Sequence, residues 1–195
     1  MKRTLGSLER LYPMPCALVV GGTAEEADTL AVAWLNIVSS TPPTVAMGLR
    51  RTRHTLELIR ASGEFTVNIP DTSQAAVVDY CGTVSGNKTD KFADCHLTLA
   101  PSSAISTPII EECRLNLECR VTHEVAVGEY VVVFGEIVET HADERLVRPD
   151  TNIVEVAELD PLIYIAGSRD YYALGAKVAD AYSVGKQVKE SRADE

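Results

Sequence analysis

The chain has 195 residues, and Lys plus Arg at 18 against Asp plus Glu at 28 leaves a net charge of −10 at pH 7. That length fits one domain or a closely built pair, and 46% hydrophobic and 24% charged residues with only 9 Pro and 12 Gly exclude a disordered or fibrous chain. The acidic field repels phosphate backbones and anionic lipid, which argues against general nucleic-acid or membrane binding and makes any basic cluster informative.

The apolar stretches fall short of the roughly 20 residues that a membrane span needs. The start MKRTLGSLERLYPMP lacks the continuous hydrophobic core of a signal sequence, so the cytoplasm is the expected compartment. Five cysteines without a C-x-x-C pair encode neither a disulfide scaffold nor a zinc site, and they read as mostly buried small hydrophobes. His54, His96, His123 and His141 show no H-E-x-x-H spacing, which argues against a metal enzyme.

Along the chain, Cys16 to Val20 is a short apolar run ended by Gly21 and Gly22, and a second apolar run from Leu30 to Val38 follows a polar stretch. Together they predict a hairpin with a long loop, stopped at Pro42 and Pro43. Thr44 to Leu49 and Phe65 to Ile69 are further strands. Between them His54 to Ser62 reads as a helix, with Gly63 placed for the left-handed turn after its end. A short helix from Ser73 to Tyr80 is expected to close on Gly82, and the polar loop from Ser85 enters another helix near Asp90. Ala100 to Glu112 reads as an irregular crossover. Leu115, Leu117, Cys119 and Val121 alternate with Arg114, Asn116, Glu118 and Arg120, a strand with one core face and one wet face. Gly128 marks a turn before the β-branched run Tyr130 to Val138, so these two segments predict an antiparallel hairpin. Leu162 to Ala166 is the last strand candidate. Many strands, few helices and short connections suggest a closed or partly closed barrel, and the lack of G-x-G-x-x-G after any strand leaves a Rossmann site unsupported. Residues 1–175 read as one domain, followed by a polar tail over 176–195 that is helix-compatible but solvated.

Three constellations carry possible chemistry. Arg50, Arg51 and Arg53 precede a helix start near Thr55, where open N–H groups, a hydroxyl and a guanidinium fork make an anion site; surface charge balancing explains the same arginines about equally well. Ser39, Ser40 and Thr41 stand before Pro42-Pro43, beyond the strand that carries Trp34, and offer polar groups to the edge of a flat heteroaromatic ligand. Taken alone, the chain's one Trp reads as a core residue. Ser85-Gly86-Asn87-Lys88-Thr89-Asp90-Lys91-Phe92 either caps a helix or brings a lysine and amides toward an anion.

In order and spacing, ALVV at 17–20, AWLNIVSSTPP at 33–43, RHTLELIRASGEFTVNIP at 53–70, YCGTVSGNKTDKF at 80–92 and IIEECRLNLECRV at 109–121 resemble the flavin reductase-like family of FMN-binding split barrels, most closely its flavoredoxin branch. The resemblance covers nearly the whole chain from Pro13 to about Tyr172. It implies a mainly β fold, a Greek-key split barrel with a few short helices, that forms a homodimer with FMN near the subunit interface. It further implies that Trp34 borders the flavin ring, that Ser39, Ser40 and Thr41 contact ring and ribityl chain, and that Arg53, His54 and Thr55 face the phosphate. Lys91 is expected near the N1/C2 edge, where it would raise the flavin potential, with Thr29, Ser85, Tyr130 and Tyr164 also near the cofactor. Asp28 departs from the Asn common in the family, and a carboxylate cannot donate as an amide does, so repulsion of the flavin or a turned-away rotamer is expected.

The resemblance therefore implies an oxidoreductase that takes hydride from NADH or NADPH onto FMN and passes electrons to an acceptor. A flavoredoxin-like electron carrier served by a redox-protein donor is the alternative. A barrel that binds another phosphorylated aromatic ligand remains a third reading.

Overall fold

The computed structural model describes residues 1–186 and 188. In chain order its strands are β1 (Met14–Pro15), β2 (Ala17–Gly22), β3 (Ala27–Val32), β4 (Leu35–Ser40), β5 (Pro43–Arg50), β6 (Glu64–Ile69), β7 (Leu99–Ala100), β8 (Ile109–Ile110), β9 (Leu115–Val127), β10 (Tyr130–Ala142), β11 (Ile163–Ile165) and β12 (Asp170–Tyr172). The helices are α1 (His54–Ser62), α2 (Ala75–Thr83), α3 (Lys91–Cys95) and α4 (Val156–Leu159).

A seven-stranded antiparallel sheet runs in the order β3-β2-β6-β9-β10-β5-β4. Its two edges are consecutive in sequence: β3 ends at Val32 and β4 begins at Leu35. Three Cα steps reach at most about 11 Å, so the sheet must curl until its edges meet. Here the sequence reading needs correction: Leu30 to Val38 is not one strand but two, broken at Ala33-Trp34. The polar stretch that precedes it does connect β2 to β3 as an antiparallel pair, Ala17 opposite Val32.

β2 explains why its sequence shows no alternation. Ala17 and Val19 join the barrel interior with Val45, Met47, Phe65 and Val133, whereas Leu18 and Val20 point to a second cluster with Val78, Cys81, Ile110 and Leu162. Both faces are buried, and a two-sided strand reads as a continuous apolar run. Helix α1 ends as its sequence implies, with Gly63 left-handed at φ 72°. Helix α2 runs to Thr83, so Gly82 lies inside it and does not close it; the chain leaves through extended Val84. The β9–β10 hairpin turns at Gly128, φ 55°.

The expected wet face of β9 is a second correction. Asn116 and Glu118 are buried because the segment 99–112, with its small β7–β8 pair, folds over them. Asn116 Nδ2 donates to Asn68 Oδ1 at 2.8 Å and to the Ile110 carbonyl at 3.1 Å. Glu118 accepts from the amides of Ser103 and Ala104, both at 2.7 Å, from Ile105 at 3.1 Å, and meets His141 Nε2 at 2.5 Å. Burial opposes ionisation of this carboxyl, but the Ser103 and Ala104 amides and His141 outweigh it and hold the pKa down at about 2. Of the tail, residues 176–186 are irregular but for one turn at Val184–Lys186, and residues 187 and 189–195 lie outside the described residues. No helix among the described residues is long and apolar enough to cross a membrane.

Because the folded value of Glu118 lies below the ordinary 4.5, its contribution to stability is present above that pH and is lost as pH falls toward about 2. Glu118→Gln is expected to lower unfolding free energy at pH 7 by roughly 1–3 kcal/mol and to flatten the acid limb of a urea-denaturation series. An unchanged acid limb would contradict that origin.

Candidate functional site

Several cavities open at the seam where the sheet edges meet, and two of them adjoin at Arg53. The larger, about 390 Å³, is lined by Trp34, Gly48, Arg53, Tyr130, Tyr164 and Arg169 among others, a size in the roughly 300–1,000 Å³ range of small-molecule sites. The smaller, about 170 Å³, is lined by Asp28, Arg53, His54, Thr55, Ser85 and Lys91. Leu30, Arg50 and Arg53 line both.

The aromatic end is built by strand register. The Gly48 amide donates to the Trp34 carbonyl at 2.8 Å, and the indole lies over Gly48, where a Cβ would meet it at an ordinary contact distance of 3.5 Å. Tyr130 stands opposite Arg50, its ring 4.8 Å from the indole centroid, and the Arg50 guanidinium lies 5.1 Å above the tyrosine ring. With 38% exposure Trp34 is not a core residue. Its indole forms a cavity wall.

The anionic end is built by the start of α1. Arg53 at the N-cap makes no side-chain cap; its carbonyl accepts from the Leu56 amide at 3.1 Å, and its guanidinium takes none of the first amides of the helix. Thr55 and Leu56 are buried against β2 because Gly21 has no side chain: a Cβ there would stand 2.8 Å from the Thr55 carbonyl and 2.6 Å from Ile59 Cγ1. Arg53 Nη2 donates to the Gly82 carbonyl at 3.2 Å, which holds the guanidinium between the two cavities. His54 Nδ1 is buried without a hydrogen bond among the described residues, 3.6 Å from Glu57 Oε2. On the floor, Lys91 Nζ lies 3.0 Å from Asp28 Oδ1 and donates to the Thr29 carbonyl, while the Thr55 hydroxyl donates to Asp28 Oδ2 at 2.5 Å. Gly86 is needed for this arrangement, since a Cβ on it would collide with the Asp28 carboxylate.

The structure therefore brings Trp34, Tyr130, Tyr164 and Arg53 around one cavity and Arg53, His54, Thr55, Ser85 and Lys91 around its neighbour. Lys91 belongs to the anionic end with Ser85, not beside Trp34. Thr29 is fully buried next to it, with an unpartnered Oγ1. Ser39, Ser40 and Thr41 line neither cavity. They sit where Ser40 faces Pro43, about 16 Å along β5 from Gly48 at strand spacing. Asp28 lines the smaller cavity, with its carboxylate paired to Lys91 and accepting from the Thr55 hydroxyl. The sequence reading missed Glu9, Gly48 and Arg169 among the lining residues. Gly48 interrupts an apolar strand and so carried a local signal; Glu9 and Arg169 carried none.

This seamed barrel with an aromatic wall and a helix-start anion cavity defines a split-barrel flavoprotein. A model of the flavin reductase like domain matches residues 8–174, and the chain belongs to that family. Flavoredoxin of Desulfovibrio vulgaris (Miyazaki F) superposes with a TM-score of 0.89 at 33% identity, covering 95% of this chain and 100% of that one. Flavoredoxin from Methanosarcina acetivorans gives 0.89 at 29% identity, covering 96% and 99%. The NADH-dependent FMN reductase AsuE2 of Streptomyces nodosus subsp. asukaensis is 27% identical over 139 residues, 71% of this chain and 74% of the relative. The residues present fit a phosphorylated flavin: an aromatic wall at one end, and at the other a helix start without a side-chain cap, a His54 Nδ1 that makes no hydrogen bond among the described residues and a half-buried Arg53 guanidinium.

Since Gly21 sets how closely α1 lies on β2, Gly21→Ala is expected to cost about 1–3 kcal/mol of stability and to shift the start of α1. Chemical denaturation reads the first effect, and weakened binding of phosphate-bearing flavin reads the second. A variant as stable as the parent would show that α1 does not depend on that approach.

Proposed function

We propose that the chain is an FMN-binding oxidoreductase that accepts hydride from a reduced nicotinamide and passes electrons to an acceptor. The observation that carries this reading is that the two cavities adjoin at Leu30, Arg50 and Arg53, an arrangement that suits one planar group with an anionic tail. FMN, when bound, supplies the hydride acceptor and releases electrons again. The protein's own residues bind, orient and shield. Trp34 and Tyr130 offer apolar ring surface at the wide end, and Arg53 with the α1 amides and Ser85 hold the phosphate. Hydride transfer needs no side-chain acid, base or nucleophile, so positioning is the protein's contribution. The NADH-dependent FMN reductase among the relatives supports nicotinamide as donor.

The near-complete superposition on flavoredoxins supports the second reading, an electron carrier reduced by another protein. A homodimer belongs to the same proposal. Edge strand β4 leaves Ile37 and Val38 more than half exposed, beside exposed Trp34 and Leu11, an apolar edge that a second copy would cover. Ser39, Ser40 and Thr41 lie on that edge, so a part for them at the cofactor would be played across the subunit interface. We place the protein's work in the cytoplasm, on small molecules or redox proteins and not on nucleic acid.

Protein incubated with FMN is expected to show a flavin spectrum that NADH or NADPH bleaches anaerobically. A flavin spectrum that neither nicotinamide bleaches, with reduction by a redox protein, selects the carrier. Arg53→Ala should weaken FMN by about tenfold or more with little change for riboflavin, which lacks the phosphate. Equal losses would remove Arg53 from the phosphate.

A further inference from the structure

The anion cavity is less cationic than its residues suggest. Lys91 is 3% exposed and Asp28 5%, and the pair stands 3.0 Å apart. Two of the three Lys91 protons are committed inside the protein, to Asp28 and to the Thr29 carbonyl. The one proton of the Thr55 hydroxyl goes to Asp28 as well. Arg50 is turned outward to Glu129 at 3.4 Å. Arg53 is then the lining cation that has no carboxylate partner among the described residues.

We infer that Asp28 is a specificity-determining residue that limits the affinity of this site for a phosphate monoester. It cancels the Lys91 charge and occupies the Thr55 donor, so a phosphate dianion meets one uncompensated positive charge instead of two. The inference rests on the FMN reading above. Its consequence is a flavin held loosely enough to exchange, with the preference for FMN over the unphosphorylated form carried by Arg53 and not by Lys91.

The test is a fluorescence titration of the purified chain with FMN and with riboflavin. Asp28→Asn is expected to tighten FMN by about tenfold or more and to leave riboflavin about unchanged. Its thermal midpoint without ligand should fall, because Lys91 then lacks a buried counter-charge, and FMN should raise that midpoint further than it does in the parent. FMN affinity that is unchanged or weaker in a folded Asp28→Asn variant overturns the inference. The paired variant Asp28→Asn with Lys91→Met removes both charges and guards against a variant that does not fold. It should keep FMN close to the parental affinity, and a selective loss of FMN of about tenfold or more would show that the phosphate reads Lys91 despite Asp28, which also overturns it. A parent that binds neither flavin defeats the FMN reading itself, and this inference with it.

Discussion

The structure depends on one short link. Between the edges β3 and β4 stand only Ala33 and Trp34, so the seven-stranded sheet has no freedom to lie open. Closure brings the β3 end of the barrel against the Gly48–Arg50 end of β5, and the Gly48 amide to Trp34 carbonyl bond fastens that junction. Everything assigned to the site is measured from this seam. The indole stands on it and Arg53 follows within three residues of β5. Helix α1 then lies back across β2 through the notch at Gly21, which sets its amino end over Asp28 and Lys91. A longer link would let the edges part and separate the aromatic wall from the anion cavity.

Two buried carboxylates show how an acidic chain places charge inside. Glu118 is met by backbone amides and His141, a solution that ties down the crossover 101–107 and fixes no ligand. Asp28 is met by a lysine and a threonine hydroxyl that also line a cavity. The first arrangement is closed, since its acceptor positions are filled by the chain. The second remains open on one side, because Lys91 retains a proton and the start of α1 has no side-chain cap. That difference is what separates a structural carboxylate from one that adjusts a binding site.

Much of this was legible in the order of residues. Helix α1 with its left-handed Gly63, the β9–β10 hairpin around Gly128 and the basic entry to α1 follow from local pattern and capping rules, and the motif order points to the family. The break inside Leu30 to Val38 was not legible. That stretch is apolar on both sides of the seam, and only the closure of a distant sheet forces the chain to change partners at Ala33. The same holds for Asn116 and Glu118, whose alternation with apolar neighbours reads as a wet face until a crossover from another part of the chain covers it. Ser39 to Thr41 stand near Trp34 in sequence, but a strand carries residues apart at about 3.3 Å each, and β4 takes them to the opposite end of β5. Gly82 offered a stop signal that α2 did not use, since the helix packs on β3 and continues to Thr83.

These misses share a cause. Local chemistry sets which residues are polar, apolar or turn-forming, while the identity of the partner is a property of closure. Asp28 illustrates the point. Its charge was visible, and so was the charge of Lys91, yet the 62 positions that separate Lys91 from Thr29, the neighbour of Asp28, are bridged only because α3 docks against β3. With the pair formed, the sign of Asp28's influence changes from repulsion of a bound anion to neutralisation of a neighbouring cation. The affinity of the site therefore follows from which charges remain unmatched after folding. On that count the proposed phosphate site draws its attraction from Arg53 and its limit from Asp28.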